Sequence, residues 1–199
     1  MKSSEDQLVE KTEDGALVRK IKKGDKNAFG ELVEKHKRRM YFAAYRMTNS
    51  HSDADDLSQQ AFIKAYESID NFREKSSFST WLYRIVVNIT INHLKKLRKR
   101  QTFTLDENIL LKDNDLTSCV DNPRRIAEER ELHEEITKAI ESLPLEQKPV
   151  VVLAILEGLP HKEIAEILGC PEKTVSWRLF QARKKLRGKL AMYIGGEHQ

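Results

Sequence analysis

Residues 161–180 read HKEIAEILGCPEKTVSWRLF, and the Gly-Cys-Pro at 169–171 limits what the chain can fold into more than any other stretch. One helix cannot run through it. Gly169 suits the left-handed position that follows a helix end. Pro171 suits the first turn of a new helix, where its missing N–H is no loss. Upstream, Ile164, Ala165 and Leu168 share a face over two turns. Downstream, Val175, Leu179, Ala182 and Leu186 recur at spacings of 4, 3 and 4. Ala165 is small enough to let the two helices approach. The pattern is that of a helix-turn-helix.

The second of these helices turns a polar and aromatic face outward. At about 100° per residue, Trp177 lies roughly 200° from Val175, away from the apolar stripe. The candidate contact residues on this helix are Lys173, Thr174, Ser176, Trp177, Arg178, Gln181 and Lys184. From 173 to 189 there are seven basic residues and no acid. Such a helix suits the major groove of DNA. The plainer alternative, a solvated basic helix in an ordinary hairpin, does not explain Ala165, Gly169 and Val175 occurring together.

The rest of the chain is written in the same helical idiom. Few Pro and Gly, many Lys, Glu, Leu, Ile and Ala, and no convincing period-two alternation imply an all-α fold. A first module is expected at 14–100. It has a short helix capped by Asp14 and ending at Gly24, a second from about Asp25 past Met40, a third over about 53–68, and a fourth from Ser79 or Thr80 through Arg100. Residues 101–124 lose the periodicity and carry Asp106, Glu107, Asp113, Asp115 and Asp121 against Lys112. They read as a flexible acidic linker. A second module follows at 125–191, with a helix ending at Ser142, another over roughly 146–156, and the helix-turn-helix. Two small helical domains joined by a linker are therefore expected.

Net charge is only +4, but it is unevenly placed, with KKLRKR at 95–100 and the basic helix at 173–189 set against the acidic 105–122 stretch. That segregation points to a polyanionic partner. Cys119 and Cys170 have no ligand-like spacing and read as reduced thiols. The six histidines are scattered. His161 near Cys170 lacks the further ligands a metal needs. Asp53, Asp55 and Asp56 complement a helix N-terminus rather than bind metal. There is no phosphate loop, nucleophile elbow or HExxH, so neither metal, cofactor nor catalysis is expected. The polar N-terminal residues contain no signal-peptide core. The longest apolar run, VVVLAIL at 150–156, is too short to span a bilayer. A cytoplasmic protein without membrane insertion is expected.

The run DADDLSQQAFIKAYESIDNFREKSSFSTWLYRIVVNITINHLKKLRKR at 53–100 resembles the promoter-melting and −10-recognition region of bacterial RNA polymerase sigma factors, above all the extracytoplasmic-function (ECF) group. The motif blocks are DADDLSQ, FIKAY and the FR…SFSTWLYRIVVN segment. LVRKIKKGDKNAFGELVEKH is similar to the family's first helices, and LPLEQKPVVVLAILEGLPHKEIAEILGCPEKTVSWRLFQARKKL to its −35-binding domain.

The resemblance implies a specificity subunit of RNA polymerase, not an enzyme. It places −10 contacts at Lys64, Ser68, Asn71, Phe72, Arg73, Tyr83, Arg84 and Asn88, with Ile85 in a pocket for a flipped base between the third helix and the loop after it. It places −35 contacts on the 173–184 face. It assigns Asp56, Gln59 and Gln60 to the clamp helices of the polymerase's largest subunit, with the flap as the second module's partner and the linker running toward the RNA exit path. It also implies an anti-sigma factor. Stacking planes among basic side chains suit unpaired bases, so Phe72 and Tyr83 read equally as site or core, and Trp81 reads as core. Two departures stand out. Gln60 occupies a position that is usually Glu, and Ser176-Trp177 stand where relatives often have Lys or Arg followed by Ser.

Overall fold

The computed structural model describes residues 4–73, 76–103 and 123–194, and among these there are helices and turns but no strand. The linker acids, Lys75 and Cys119 lie outside the described residues. The first module has four main helices: α1 (Ser4–Lys22), α2 (Asn27–Thr48), α3 (His51–Ser68) and α4 (Phe78–Phe103). A short 3-10 turn, Ile69–Asn71, follows α3. The second module holds α5 (Pro123–Glu141), α6 (Lys148–Val151), α7 (His161–Leu168), α8 (Glu172–Lys189) and a short α9 (Ala191–Ile194).

Local chemistry explains most boundaries. The Asp25 carboxylate accepts from the backbone N–H groups of Asn27 and Ala28, opening α2. Ser50 Oγ accepts from Asp53 N at 3.2 Å, opening α3. Gly169 closes α7 at φ 62°, and since a Cβ there would meet nothing within 4 Å, backbone conformation alone demands glycine.

Two expectations fail. Asp14 does not cap a helix: α1 continues through it, and the carboxylate is buried, 2.9 Å from both His36 Nε2 and Lys35 Nζ. Burial pushes this carboxyl up, but the His36 and Lys35 hydrogen bonds and charges outweigh it and hold it below its ordinary value. The helix expected over 146–156 is four residues of α-helix followed by a π-helical turn, Val152–Leu156. In α7 the fully buried residues are Ile164 and Ile167, while Leu168 is half-buried.

The modules pack against each other. Helix α7 lies along α4, and Glu157 sits at the centre of the contact. Its carboxylate accepts from Tyr83 Oη at 2.6 Å and pairs with the Arg46 guanidinium. Thr80 Oγ1 donates to Glu163 at 3.3 Å, and Asn49 Nδ2 to Glu141 at 2.7 Å. Burial, then the Glu157 charge, raises the Tyr83 phenol well above its ordinary value despite Arg39 over the ring, so it stays a neutral donor.

Candidate nucleic-acid interface

Helix α4 buries one side and offers the other. Leu82, Tyr83, Val86, Val87 and Thr90 are buried. On the opposite side Trp81, Ile85, Asn88 and Asn92 follow one another at spacings of 4, 3 and 4. With Lys64 of α3, Arg84 and Ile89 they line a pocket of about 220 Å³. The floor is apolar, from half-buried Trp81, Ile85 and Ile89; the rim carries two amides, an ammonium and a guanidinium. An apolar floor stacks a base, and a carboxamide matches its edge with one donor and one acceptor. The exposed KKLRKR positions Lys95, Lys96, Arg98, Lys99 and Arg100 continue beyond the pocket on the same helix, where cations can follow a phosphate backbone.

The expected −10 residues divide. Lys64, Arg84, Ile85 and Asn88 line this pocket. Ser68, Asn71 and Arg73 are not among its lining residues: Ser68 Oγ donates to the Lys64 carbonyl at 2.5 Å, Asn71 is exposed in the 3-10 turn, and Arg73 is exposed just past it. Phe72 and Tyr83 are core. Phe72 packs edge-on against Phe78 with ring centres 5.9 Å apart, and Tyr83 is 0% exposed. Trp81, expected in the core, reaches the pocket instead. This pocket sits between α3 and α4. Sequence reasoning missed Ile89 and Asn92 as well as Trp81, although the 81-85-88-92 register marked Trp81 and Asn92.

The helix-turn-helix presents α8. Val175, Leu179 and Ala182 are buried, and Leu186 is half-buried, as the periodicity required. Lys173, Trp177 and Lys184 project outward and are exposed. Phe180, absent from the expected set, is 65% exposed beside Trp177 at 59%. Thr174 and Gln181 are half-buried. Two residues are engaged within the module. Ser176 Oγ shares a hydrogen bond with His161 Nδ1 at 3.1 Å, and Arg178 is held 3.2 Å from Glu146. Cys170 is a free thiol, and no group of three or more potential metal ligands occurs among the described residues.

Two family models match in chain order: Sigma-70 region 2 over residues 32–100 and Sigma-70 region 4 over 133–186. The ECF RNA polymerase sigma-E factor of Haemophilus influenzae is 37% identical over 189 residues, covering 92% of this chain and 98% of that one. The sigma-E factor of Escherichia coli is 35% identical over 190 residues, covering 94% and 99%. The chain belongs to the ECF sigma factors. As such it directs promoter-specific transcription by RNA polymerase. Among solved structures, CnrH in complex with the cytosolic domain of CnrY aligns with a TM-score of 0.65 and 26% identity over 90% of this chain and 98% of that one. The Bartonella quintana sigma factor RpoE, solved with the anti-sigma factor NepR, shares the fold at a TM-score of 0.62 and 22% identity, over 82% and 96%.

A third face of this sigma factor lies on α3. Asp56, Gln59 and Gln60 are all exposed there, about 80°, 140° and 40° around the helix from Lys64. Gln59 Nε2 donates to Asp55 at 3.0 Å. Between the three stands Ile63, 59% exposed. Its place off the buried stripe of Ala54, Leu57, Ala61, Phe62 and Ala65 was visible in the sequence. No described helix is long and apolar enough to cross a membrane.

Proposed function

We propose that residues 14–100 bind core polymerase and open and read the −10 element, that 125–191 read the −35 element, and that 101–124 link the two. The α3–α4 pocket carries this reading, because it combines a stacking floor with amide and cationic rim groups at the scale of one base. Asn88 reads the base edge and Lys64 and Arg84 hold the flanking phosphates, with Ser68, Asn71 and Arg73 beside the entering strand. Phe72 and Tyr83 act from behind, as packing that sets the angle of α4. On α8, Lys173 and Lys184 bracket the base-reading centre, with Thr174, Ser176, Trp177 and Gln181 between them and Arg178 at its margin, held by Glu146. Asp56, Gln59 and Gln60, with Ile63 as an apolar anchor, meet the clamp helices, and the second module meets the flap.

The chain contributes specificity and no catalysis, and it works where the polymerase is, in the cytoplasm. An anti-sigma factor regulates it; related sigma factors have been solved in complexes of that kind. The labels −35 and −10 lie 25 positions apart, about 85 Å of duplex. A compact chain of this length has a radius of gyration of roughly 16 Å. Full promoter engagement therefore separates the two packed modules and breaks the Glu157 contacts.

Run-off transcription with purified core enzyme tests the reading. A promoter-specific start that depends on this chain is expected; no specific transcript from any template would overturn it. Asn88→Ala should lower −10 discrimination about tenfold with core binding intact, and loss of core binding instead would reassign that face.

A further inference from the structure

We propose that Trp177 makes −35 readout by this sigma factor depend on thymine, its indole meeting the C5-methyl group of a thymine in the major groove. The inference rests on α8 being the −35 helix.

Three observations converge on it. Trp177 and Phe180 stand on the outward side of α8, 59% and 65% exposed, while Val175 and Leu179 of the same helix are buried. Their exposure follows from register: Trp177 is about 200° and Phe180 about 140° from Val175. The two rings lie between Lys173 and Lys184, which bring the middle of the face to the duplex while leaving that middle apolar. Finally, the group best suited to reading guanine is turned aside. Arg178 has a side chain only 23% exposed and a guanidinium 3.2 Å from Glu146.

The base edges then decide the ligand. In the major groove guanine offers two acceptors, which suit arginine, and cytosine offers a donor. Thymine alone of the four bases presents a methyl group there, and apolar side chains are its natural contact. Gln181, half-buried at the edge of this face, has the amide that pairs with adenine. An A·T pair thus matches both, amide to adenine and indole to methyl. Charge selects DNA over a protein as the occupant, since residues 173–189 contain seven basic residues and no acid.

The test uses holoenzyme formed from the full chain and core polymerase. Selection from promoters randomised at −35 first defines the preferred element. Each thymine in it is then replaced by uracil, which removes the methyl and leaves the pairing unchanged. Affinity should fall about fourfold at one or two positions, the effect of one buried methyl. Trp177→Ala should bind thymine and uracil promoters equally, and Trp177→Phe should restore part of the difference. Selective binding with no thymine–uracil difference would overturn the inference while leaving the −35 assignment standing. No selection at −35 at all would overturn both. Unchanged promoter preference in Trp177→Ala, together with lost binding of an anti-sigma factor, would make this face a protein dock and sink the proposal. Thermal unfolding of each variant separates these outcomes from misfolding, which Trp177→Ala should not cause because the side chain is exposed.

Discussion

The pocket face of α4 and the outward face of α8 are written in the same register and end up as opposite surfaces. Trp81, Ile85, Asn88 and Asn92 recur at 4, 3 and 4; so do Lys173, Trp177, Phe180 and Lys184. Each row lies opposite its helix's buried stripe, and each contains a tryptophan. On α4 the row is flanked by α3, so Trp81 is half covered and tilts against Phe72 and Phe78, with ring centres 5.1 and 5.7 Å away. On α8 nothing comparable among the described residues stands beside the row, and both aromatic rings face outward. Identical spacing yields a concave pocket in one case and a convex ridge in the other. Periodicity names the face; the neighbouring helix sets its shape.

Tryptophan removal breaks this comparison most sharply. Trp81→Ala strips packing from Phe72 and Phe78 and should cost about 2 kcal/mol of stability. Trp177→Ala should stay within about 0.5 kcal/mol of the parent, as expected of an exposed site. Urea unfolding of the two variants checks it, and equal losses would mean that Trp177 is packed in solution.

The buried back of α4 is the next point of contrast, because there it meets the other module. Glu157→Ala leaves the Tyr83 hydroxyl and the Arg46 guanidinium without their carboxylate. It should weaken the module–module contact by about 2 kcal/mol. A donor–acceptor dye pair on α3 and α8 should report a larger mean separation in the free protein. An unchanged distance would show that helix packing, not Glu157, holds the closed form.

The smallest effect belongs to the exposed face of α3. On the proposed polymerase-facing surface, Gln60→Glu adds a negative charge and should tighten core polymerase binding about twofold at low salt, with the gain lost at high salt. Stability should not change measurably. A gain that persisted in high salt would point to something other than a surface ion pair.

Several features were legible from residue order alone. Gly169 and Pro171 announced the turn, since only a left-handed residue followed by a helix-starting one fits there, and Val175, Leu179 and Ala182 announced which side of α8 is buried. The helical class, the two-module division and the outward position of Trp177 followed from the same local rules. Asp14 did not yield to them. It has the chemistry of a helix cap, and only the approach of α2 made it a buried partner for His36 and Lys35. Phe72 and Tyr83 read equally as site or core and Trp81 as core, and their actual sorting waited on where α3 and the second module pack against α4. Glu157 gave no signal at all, because its partners Tyr83 and Arg46 are 74 and 111 residues away. Helix ends and buried stripes arise from backbone geometry and solvent exclusion acting within a few turns, so the residue sequence determines them. Pocket shape and the contact between modules depend on which helices meet, and that was decided only when the whole chain packed.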